Sequence, residues 1–260
     1  MDLSHVLILS VVEGVTEFIP VSSTAHLVLT SHALNIPASA FLSTFEISIQ
    51  LGAIGAVCVV SGRKILSDKK LLYKALVGFV PTGILGFTLF KYIKPLLSDP
   101  FIPVTALFLG GLTIIGLELY FKSKLKSENQ KLKTLDKMTY KDSLIIGLIQ
   151  SISMIPGVSR SAASIFGGMA LKLDRKSATE YSFLLAIPTM VAATMLSLLS
   201  DTPSFSQQEL TYFFLGIAGS FISALLVIKW LMGYVKKNNF ILFGIYRILI
   251  AIVYFFIFLR

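Results

Sequence analysis

Six long apolar runs constrain the fold of this chain more than any other feature of its sequence. They cover residues of about 41–60, 75–93, 101–121, 177–198, 210–232 and 240–259. A helix of roughly 20 apolar residues spans the hydrocarbon core of a bilayer, where the backbone must satisfy its own hydrogen bonds. Since 55% of the residues are hydrophobic and only 14% are charged, a water-soluble domain is excluded. The sequence therefore predicts an all-α polytopic membrane protein with about six full transmembrane helices.

Two further pairs of apolar segments are shorter, and a proline interrupts each pair. The pairs cover about 3–19 with 22–35 and about 141–155 with 159–171. Helices cannot continue through Pro20 or Pro156-Gly157, and each half is short for a span. We therefore expect two broken, re-entrant helix hairpins. Irregular backbone at membrane depth is tolerated only where it is buried in protein or lines a polar cavity.

Lysine and arginine are concentrated in alternate loops between the apolar runs. The basic loops lie near residues 63–74, 122–141, 172–176 and 236–237, whereas the loops at about 32–40 and 199–209 contain neither residue, and 91–103 contains only Lys91 and Lys94. The positive-inside rule places the basic loops in the cytoplasm and predicts both termini on the outer face. The same rule explains the net charge of +9, so we expect no nucleic-acid partner.

Two short segments, one in each half of the chain, are similar in sequence. The segment Val21-Ser22-Ser23-Thr24-Ala25 is similar to Val158-Ser159-Arg160-Ser161-Ala162. The charge pattern gives the two halves opposite orientations, so we predict an inverted-topology repeat within one membrane domain, 1–260. Repeat one is 1–121, a basic, solvated cytoplasmic linker is 122–140, and repeat two is 141–260. Truncation within 131–137 is expected to be nearly harmless.

Polar residues are concentrated around the first break, which is the interruption at Pro20 between segments 3–19 and 22–35. Glu13 and Glu17 lie four residues apart, so a helix projects both carboxylates from one face. Two carboxylates in a low dielectric share a proton or hold a divalent cation. The alternative is a helix at the membrane surface with both acids in water. Ionisable groups at membrane depth more often mark a functional site.

Three hydroxyls and an imidazole follow the two acids. Ser22, Ser23 and Thr24 open the next helix, where one hydroxyl is needed as an N-cap and the others are available to an anion. His26 falls about one turn beyond the serines. A lone histidine is more often structural, but in this company it is a candidate base or nucleophile.

The second break, which is the interruption at Pro156-Gly157, is followed by an arginine between two serines. Arg160 offers a planar fork for phosphate oxygens, flanked by the hydroxyls of Ser159 and Ser161. The alternative is a structural arginine that pairs with Glu13 or Glu17. Residues with candidate supporting roles are Glu46, Gln50 and Glu180, although either glutamate could instead lie at the water-exposed end of its span. The sequence assigns no partner to the mid-span Arg247.

At these residues the sequence resembles the undecaprenyl-diphosphate phosphatase family associated with bacitracin resistance. The resemblance covers essentially the whole chain. Its motifs are Glu13-Gly-Val-Thr-Glu17-Phe-Ile-Pro-Val-Ser-Ser-Thr-Ala-His26, Phe45-Glu46-Ile-Ser-Ile-Gln50-Leu-Gly, Pro156-Gly-Val-Ser-Arg-Ser161 and Glu180-Tyr-Ser-Phe-Leu-Leu-Ala-Ile-Pro188. Two departures are Ala25 and Ala162, which stand where we expect glycine. They remove no reactive group.

The resemblance implies a hydrolase of the bacterial plasma (inner) membrane that converts undecaprenyl diphosphate to undecaprenyl phosphate. This recycles the carrier for cell-wall polymers and gives bacitracin resistance. It implies an Mg²⁺ or Ca²⁺ cofactor, an isoprenoid diphosphate substrate and surrounding membrane lipids, and it is compatible with a homodimer. The implied catalytic residues are Glu13, Glu17, Ser23, His26 and Arg160, of which Glu13 and Glu17 would hold the cation; the implied substrate-binding residues are Ser22, Thr24, Gln50, Ser159, Arg160 and Ser161. Either Ser23 or His26 would be the nucleophile.

Two other classes of function compete with the hydrolase. Inverted repeats with broken helices are also the architecture of secondary transporters, so a lipid-phosphate flippase or carrier is the main alternative. A carrier needs binding groups but no nucleophile. A membrane scaffold explains neither the acids nor the arginine.

Overall fold

The computed structural model describes residues 1–93, 96, 99–128, 131–201 and 205–259, and these residues form helices joined by short connections. The helices are α1 Leu3–Thr16, α2 Ser23–Ala33, α3 Ala40–Ser48, α4 Gln50–Ser67, α5 Lys69–Ile93, α6 Phe101–Glu128, α7 Tyr140–Gln150, α8 Arg160–Ala170, α9 Arg175–Asp201, α10 Gln207–Tyr234 and α11 Ile241–Tyr254. Short 3-10 helices cover Leu135–Lys137 and Ser151–Met154, and a π-helix, Phe255–Leu259, ends the described chain. The described residues form no β-strand. The predicted fold class is confirmed.

Six helical segments are long and apolar enough to cross a membrane. They are Ala40–Ser67, Lys69–Leu89, Phe101–Lys124, Arg175–Leu199, Gln207–Tyr234 and Ile241–Leu259. The first of them is not one continuous helix, because α3 and α4 meet at Ile49. The six predicted spans therefore match six observed segments, although Lys94 and residues 202–204 of the predicted outer loops lie outside the described residues.

The two shorter pairs are observed as α1 with α2 and α7 with α8, and the breaks between them share an unusual backbone conformation. Ser22 has a φ of 72° and Ser159 a φ of 79°. A non-glycine residue in this region costs on the order of 1–3 kcal/mol and persists only where its surroundings impose it. Each of these serines is the N-cap of the helix that follows, and its hydroxyl accepts a hydrogen bond from the amide of Ala25 or Ala162.

Close helix crossings hold these short pairs inside the bundle. The helix α1 packs against α10, and α7 packs against α5. A methyl group on Gly14 would lie 2.1 Å from the Ser223 hydroxyl, and one on Gly147 would lie 1.9 Å from the Gly78 carbonyl oxygen. Small residues allow this approach, which membrane helices use because lipid supplies little hydrophobic driving force. The inverted repeat remains a prediction.

The predicted linker, 122–140, is not solvated throughout. The helix α6 continues to Glu128, and the Lys133 amide donates a hydrogen bond to the Lys172 carbonyl at 2.7 Å. Leu135 and Met138 are buried in the main core at 4% and 2% exposure. The expectation that this stretch is solvated is therefore wrong for its second half, because two apolar side chains in a lysine-rich sequence dock onto the bundle.

Candidate active site

The two breaks meet at the centre of the bundle. The Ser161 hydroxyl, at the start of α8, donates a hydrogen bond to the Ile19 carbonyl in the first break at 2.9 Å. The neighbouring Arg160 reaches Glu17 at the end of α1. Polar groups that are far apart in the sequence are thereby brought into one site.

Glu17 lies between the two breaks and contacts a side chain from each of them. Its Oε1 accepts a hydrogen bond from Arg160 Nη2 at 2.9 Å, and its Oε2 accepts one from the Ser23 hydroxyl. Glu17 is only 6% exposed. Burial strengthens the charged hydrogen bonds of this carboxylate, because little water screens them. Glu17 thereby holds the Ser23 hydroxyl on one of its oxygens and the Arg160 cation on the other.

Glu13 lies one turn earlier on α1 and is fully buried. Neither of its side-chain oxygens accepts a hydrogen bond from a donor group among the described residues, and its carboxyl group lies within hydrogen-bonding reach of that of Glu17. Its carboxylate interacts electrostatically with Glu17, Glu46 and Arg160. The alternative in which both acids lie in water is wrong, since α1 packs under α10 and α2. Two adjacent buried carboxyl groups of this kind can share a proton, and their oxygens are also a fitting donor set for a cation.

Arg160 holds Glu17 from the second break. Its Nη1 donates to the Ser182 carbonyl at 2.8 Å, and its guanidinium lies 5.7 Å from the centre of the Phe18 ring. The Nε atom is buried without a hydrogen-bond partner in the described structure. The alternative in which Arg160 pairs with Glu13 or Glu17 therefore holds for Glu17. The Nε donor of the guanidinium has no partner among the described residues, so Arg160 can still bind an anion.

His26 is fixed at both ring nitrogens. Its Nδ1 lies 2.7 Å from the Ser22 carbonyl oxygen, and its Nε2 lies 2.9 Å from the Tyr246 hydroxyl. A carbonyl oxygen only accepts, so Nδ1 carries a proton and a neutral His26 accepts from Tyr246. The rings of His26 and Tyr246 also stack, 5.6 Å apart. Sequence reasoning missed Tyr246, whose only signal was its place beside Arg247.

The remaining predicted substrate-binding residues are less closely joined to this centre. The Ser159 and Ser161 hydroxyls lie 3.0 Å apart and form a pair at the start of α8. Thr24 and Gln50 are partly buried. Within the described part of the chain, no hydrogen bond joins either of them to Glu17 or Arg160.

Arg247 joins the two breaks through backbone carbonyl groups. It is fully buried, and in the described chain it forms no ion pair with a carboxylate. Its guanidinium donates to the carbonyl oxygens of Pro20, Ala106, Leu107, Val158 and Gly157 at 2.7–3.3 Å. The partners that the sequence did not assign are thus the ends of both breaks and α6.

The two glutamates with candidate supporting roles lie in different places. Glu46 accepts a hydrogen bond from the Ser31 hydroxyl at 2.7 Å and lies near Glu13. Glu180 forms ion pairs with Lys64 and Lys176 at the lysine-rich end of the bundle. Glu180 therefore lies at the water-exposed end of its span, which is the alternative position for it, whereas Glu46 is well placed for a supporting role.

A family profile described as "Bacitracin resistance protein BacA" matches residues 6–253 of this chain. The chain belongs to the BacA family. The resemblance recognised from the motifs of both breaks is thereby confirmed over nearly the whole sequence.

Relatives of the family agree in length as well as in sequence. The chain is 44% identical over 255 residues to an undecaprenyl-diphosphatase of Sulfurihydrogenibium sp. (strain YO3AOP1), which covers 98% of this chain and 99% of that protein. It is 44% identical over 248 residues to one of Aquifex aeolicus, 95% of each chain, and 39% identical over 260 residues to one of Methanococcus aeolicus, 100% of each. These BacA relatives bear the name of a hydrolase rather than a carrier.

Proposed function

We propose that this chain hydrolyses undecaprenyl diphosphate to undecaprenyl phosphate and phosphate, and thereby recycles a lipid carrier and gives bacitracin resistance. The names of the relatives support the reaction. The observation that carries the proposal is Glu17, which holds a hydroxyl from one break and a guanidinium from the other. That set supplies a nucleophile, a proton acceptor and a phosphate-binding cation.

Ser23 is the proposed nucleophile. Glu17 takes the hydroxyl proton while the Ser23 oxygen bonds to the terminal phosphorus, and the bond from that phosphorus to the bridging oxygen breaks. Undecaprenyl phosphate leaves with that oxygen. Water then hydrolyses the phosphoserine to phosphate and restores Ser23. The contact of Ser23 with Glu17 supports this choice over His26.

His26 is proposed to bind and orient rather than attack. Its Nε2 lone pair is engaged by the Tyr246 hydroxyl, and its Nδ1 proton by the Ser22 carbonyl. A nitrogen already accepting a hydrogen bond is a poor nucleophile until that bond breaks. The imidazole holds the Ser22–Ser23 backbone in place. The Ser22 carbonyl keeps the ring in one tautomer, and Tyr246 fixes its orientation.

Arg160 is proposed to clamp the diphosphate. Positioning and neutralisation of charge account for most of the catalysis of phosphoryl transfer. The unused Nε donor and the paired hydroxyls of Ser159 and Ser161 are the groups that would face the phosphate oxygens. Ser22, Thr24 and Gln50 are assigned to the periphery of the same pocket.

Glu13 and Glu17 are proposed to hold an Mg²⁺ or Ca²⁺ ion, which would neutralise charge on the diphosphate. The buried carboxyl group of Glu13, which accepts no hydrogen bond from a donor group among the described residues and lies beside Glu17, supports this assignment. No group of three or more metal-binding side chains occurs among the described residues. The two carboxylates would therefore supply part of the ligand set, and phosphate oxygens and water the rest, as Mg²⁺ often requires.

The bacterial plasma membrane is the proposed location, with both termini on the outer face. The alternation of basic and non-basic loops supports this orientation. The packing of α1 on α10 and of α7 on α5, together with the matched φ angles at Ser22 and Ser159, supports the inverted-topology repeat.

The deciding experiment measures phosphate release from a C55 isoprenoid diphosphate by the purified protein in detergent. We expect release that requires Mg²⁺ or Ca²⁺, stops with a chelator and is lost in Arg160→Ala. Arg63→Ala is the matched control, because Arg63 is exposed at the end of α4. A folded wild-type preparation that binds the lipid without releasing phosphate would contradict the proposal and favour a carrier.

A further inference from the structure

A buried amide joins three helices at the point where the second break begins. Gln150 is the last residue of α7, and its side chain is fully buried. Its Nε2 atom donates hydrogen bonds to the hydroxyl oxygens of Thr82 on α5, at 3.1 Å, and of Thr189 on α9, at 3.2 Å. Both protons of the NH₂ group are thereby used, and one side chain holds α5, α7 and α9 together.

Both threonines directly follow a proline inside their helix. Pro81 precedes Thr82 in α5, and Pro188 precedes Thr189 in α9. A proline within a helix removes one backbone hydrogen bond, and its ring clashes with the preceding turn, so the helix bends most easily there. Gln150 therefore holds α5 and α9 at the two positions where their own backbones fix their direction least.

The same cluster fixes the start of the second break. The Thr82 hydroxyl donates a hydrogen bond to the Gly147 carbonyl oxygen at 3.0 Å, one turn before Gln150. The hydroxyl of Ser151, the first residue after α7, donates to the same oxygen at 3.0 Å. The last turn of α7 is thereby tied to α5, and the irregular backbone that leads to Arg160 begins from a fixed point.

The contact with α9 leads to the candidate active site. Ser182 lies two turns before Thr189 on α9, about 10 Å along the helix. Arg160 donates to the Ser182 carbonyl oxygen at 2.8 Å and to Glu17 at 2.9 Å. Because Pro188 lies between Ser182 and Thr189, a change of the bend there moves Ser182 and, with it, the guanidinium of Arg160.

We propose that Gln150 is a positioning residue for the proposed hydrolysis. Through Thr82 it fixes where the second break begins, and through Thr189 it fixes the bend of α9. These two elements together place Arg160 against Glu17. This role rests on the proposed function, because Arg160 clamps a diphosphate only if the protein acts on one.

Two double variants of the threonines test the role of the amide in the purified protein. Thr82→Val/Thr189→Val keeps the shape of both side chains but removes the acceptors of the NH₂ group, whereas Thr82→Ser/Thr189→Ser keeps both hydroxyls. A catalytic group misplaced by about 1 Å costs up to about 100-fold in rate. The kcat for phosphate release from a C55 isoprenoid diphosphate should therefore fall about 10–100-fold in the valine variant and less than about threefold in the serine variant. Equal activities of the two variants would overturn the proposal.

Gln150→Met separates positioning from stability. The hydroxyls of Thr82 and Thr189 keep their own backbone acceptors, and the variant also removes Gln150 Oε1, which accepts no hydrogen bond among the described residues. The unfolding temperature should therefore stay close to that of the wild type while kcat falls about 10–100-fold. Arg160→Lys should cost at least tenfold less activity in this background than in the wild type, since the two residues act in one chain of contacts. Independent, additive losses would leave Gln150 a purely structural role and contradict the proposal.

A binding measurement separates this role from the reaction itself. The probe is a C15 isoprenoid methylenediphosphonate, which cannot be hydrolysed between its phosphorus atoms, and its affinity is measured by calorimetry in detergent. Gln150→Met and the valine variant should each bind it about tenfold more weakly than the serine variant, and unchanged affinity would contradict the positioning role. A wild-type protein that binds the probe but releases no phosphate from the C55 diphosphate would refute the proposed hydrolysis, and the affinities would still decide the role of Gln150.

Discussion

At the scale of single residues, Glu17 shows how one buried carboxylate organises a site. It accepts hydrogen bonds from Ser23 and Arg160, which approach from different helices. Removal of one partner from a buried charged pair leaves the other charge uncompensated, and this typically costs several kcal/mol. The same contacts that stabilise the meeting of the breaks are therefore those that the proposed reaction uses.

Replacement of the proposed nucleophile should abolish turnover without loss of the fold. In Ser23→Ala the oxygen that would attack is absent, so we expect a loss of about 10²–10⁴-fold or more in kcat. Glu17→Gln removes the proton acceptor and should lose as much, but it should also lower the unfolding temperature because Arg160 loses its charged partner. The measurement is phosphate release, with thermal unfolding in detergent as the check on folding.

The matched control for this prediction is Ser220→Ala. Ser220 is also a fully buried serine, on α10, and its hydroxyl has no partner among the described residues. It should retain nearly full activity. Full activity in a folded Ser23→Ala protein would instead show that another group is the nucleophile, and His26 would then be the candidate.

At the scale of helices, the two short pairs depend on glycine at their crossings. Gly147 on α7 lies against the backbone of Gly78 on α5, where even one methyl group would be 1.9 Å from a carbonyl oxygen. The backbone of two packed helices cannot retreat as a flexible side chain can. The position of α7, and with it the second break, is set by this contact.

Gly147→Ala should therefore destabilise the protein by about 1–3 kcal/mol, because α7 must move away from α5. Gly116→Ala is the control, since nothing lies within 4 Å of a methyl group there, and alanine should be neutral or slightly stabilising in that helix. The comparison is the unfolding temperature of each variant in the same detergent. Equal stability of the two variants would show that α5 and α7 are less closely packed than described.

At the scale of the whole molecule, Arg247 ties the breaks together. Its guanidinium donates to carbonyl groups of the first break, the second break and α6. Broken helices expose carbonyls that no helical amide can satisfy, and in a bilayer no water replaces the lost partner. One arginine in the last span thus satisfies the ends of both interruptions.

Arg247→Met should lower both stability and activity. Each buried carbonyl left without a donor costs about 1–3 kcal/mol, so the combined loss is several kcal/mol, and the breaks should no longer meet correctly. Arg63→Met removes an exposed arginine and serves as control. Unfolding temperature and phosphate release together test this prediction, and wild-type values for Arg247→Met would refute the role of Arg247.

The docked part of the basic connection gives a second prediction at this scale. Leu135 is 4% exposed in the main core, whereas Leu132 is 41% exposed. Leu135→Ala should destabilise the protein by about 2–5 kcal/mol, and Leu132→Ala should have little effect. Thermal unfolding distinguishes them. Equally small effects of the two substitutions would restore the expectation that residues 131–137 are dispensable.

Much of the fold follows from local features of the sequence. The six spans were predictable because length and hydropathy alone decide whether a helix can cross a bilayer. The breaks at residues 17–22 and 155–159 were predictable because proline and glycine end helices there. The division of the first span at Ile49 was not, since no proline or glycine marks it, and docking of Leu135 was hidden by the surrounding lysines.

The sequence by itself determined the membrane class, the two breaks and the reactive residue types, because each is a property of a short segment. Only the tertiary structure decided which groups meet. The pairing of Arg160 with Glu17, of His26 with Tyr246 and of Arg247 with backbone carbonyls joins residues that are 89 or more positions apart. Such contacts depend on helix packing and on the need to satisfy buried polar groups, which no local pattern records.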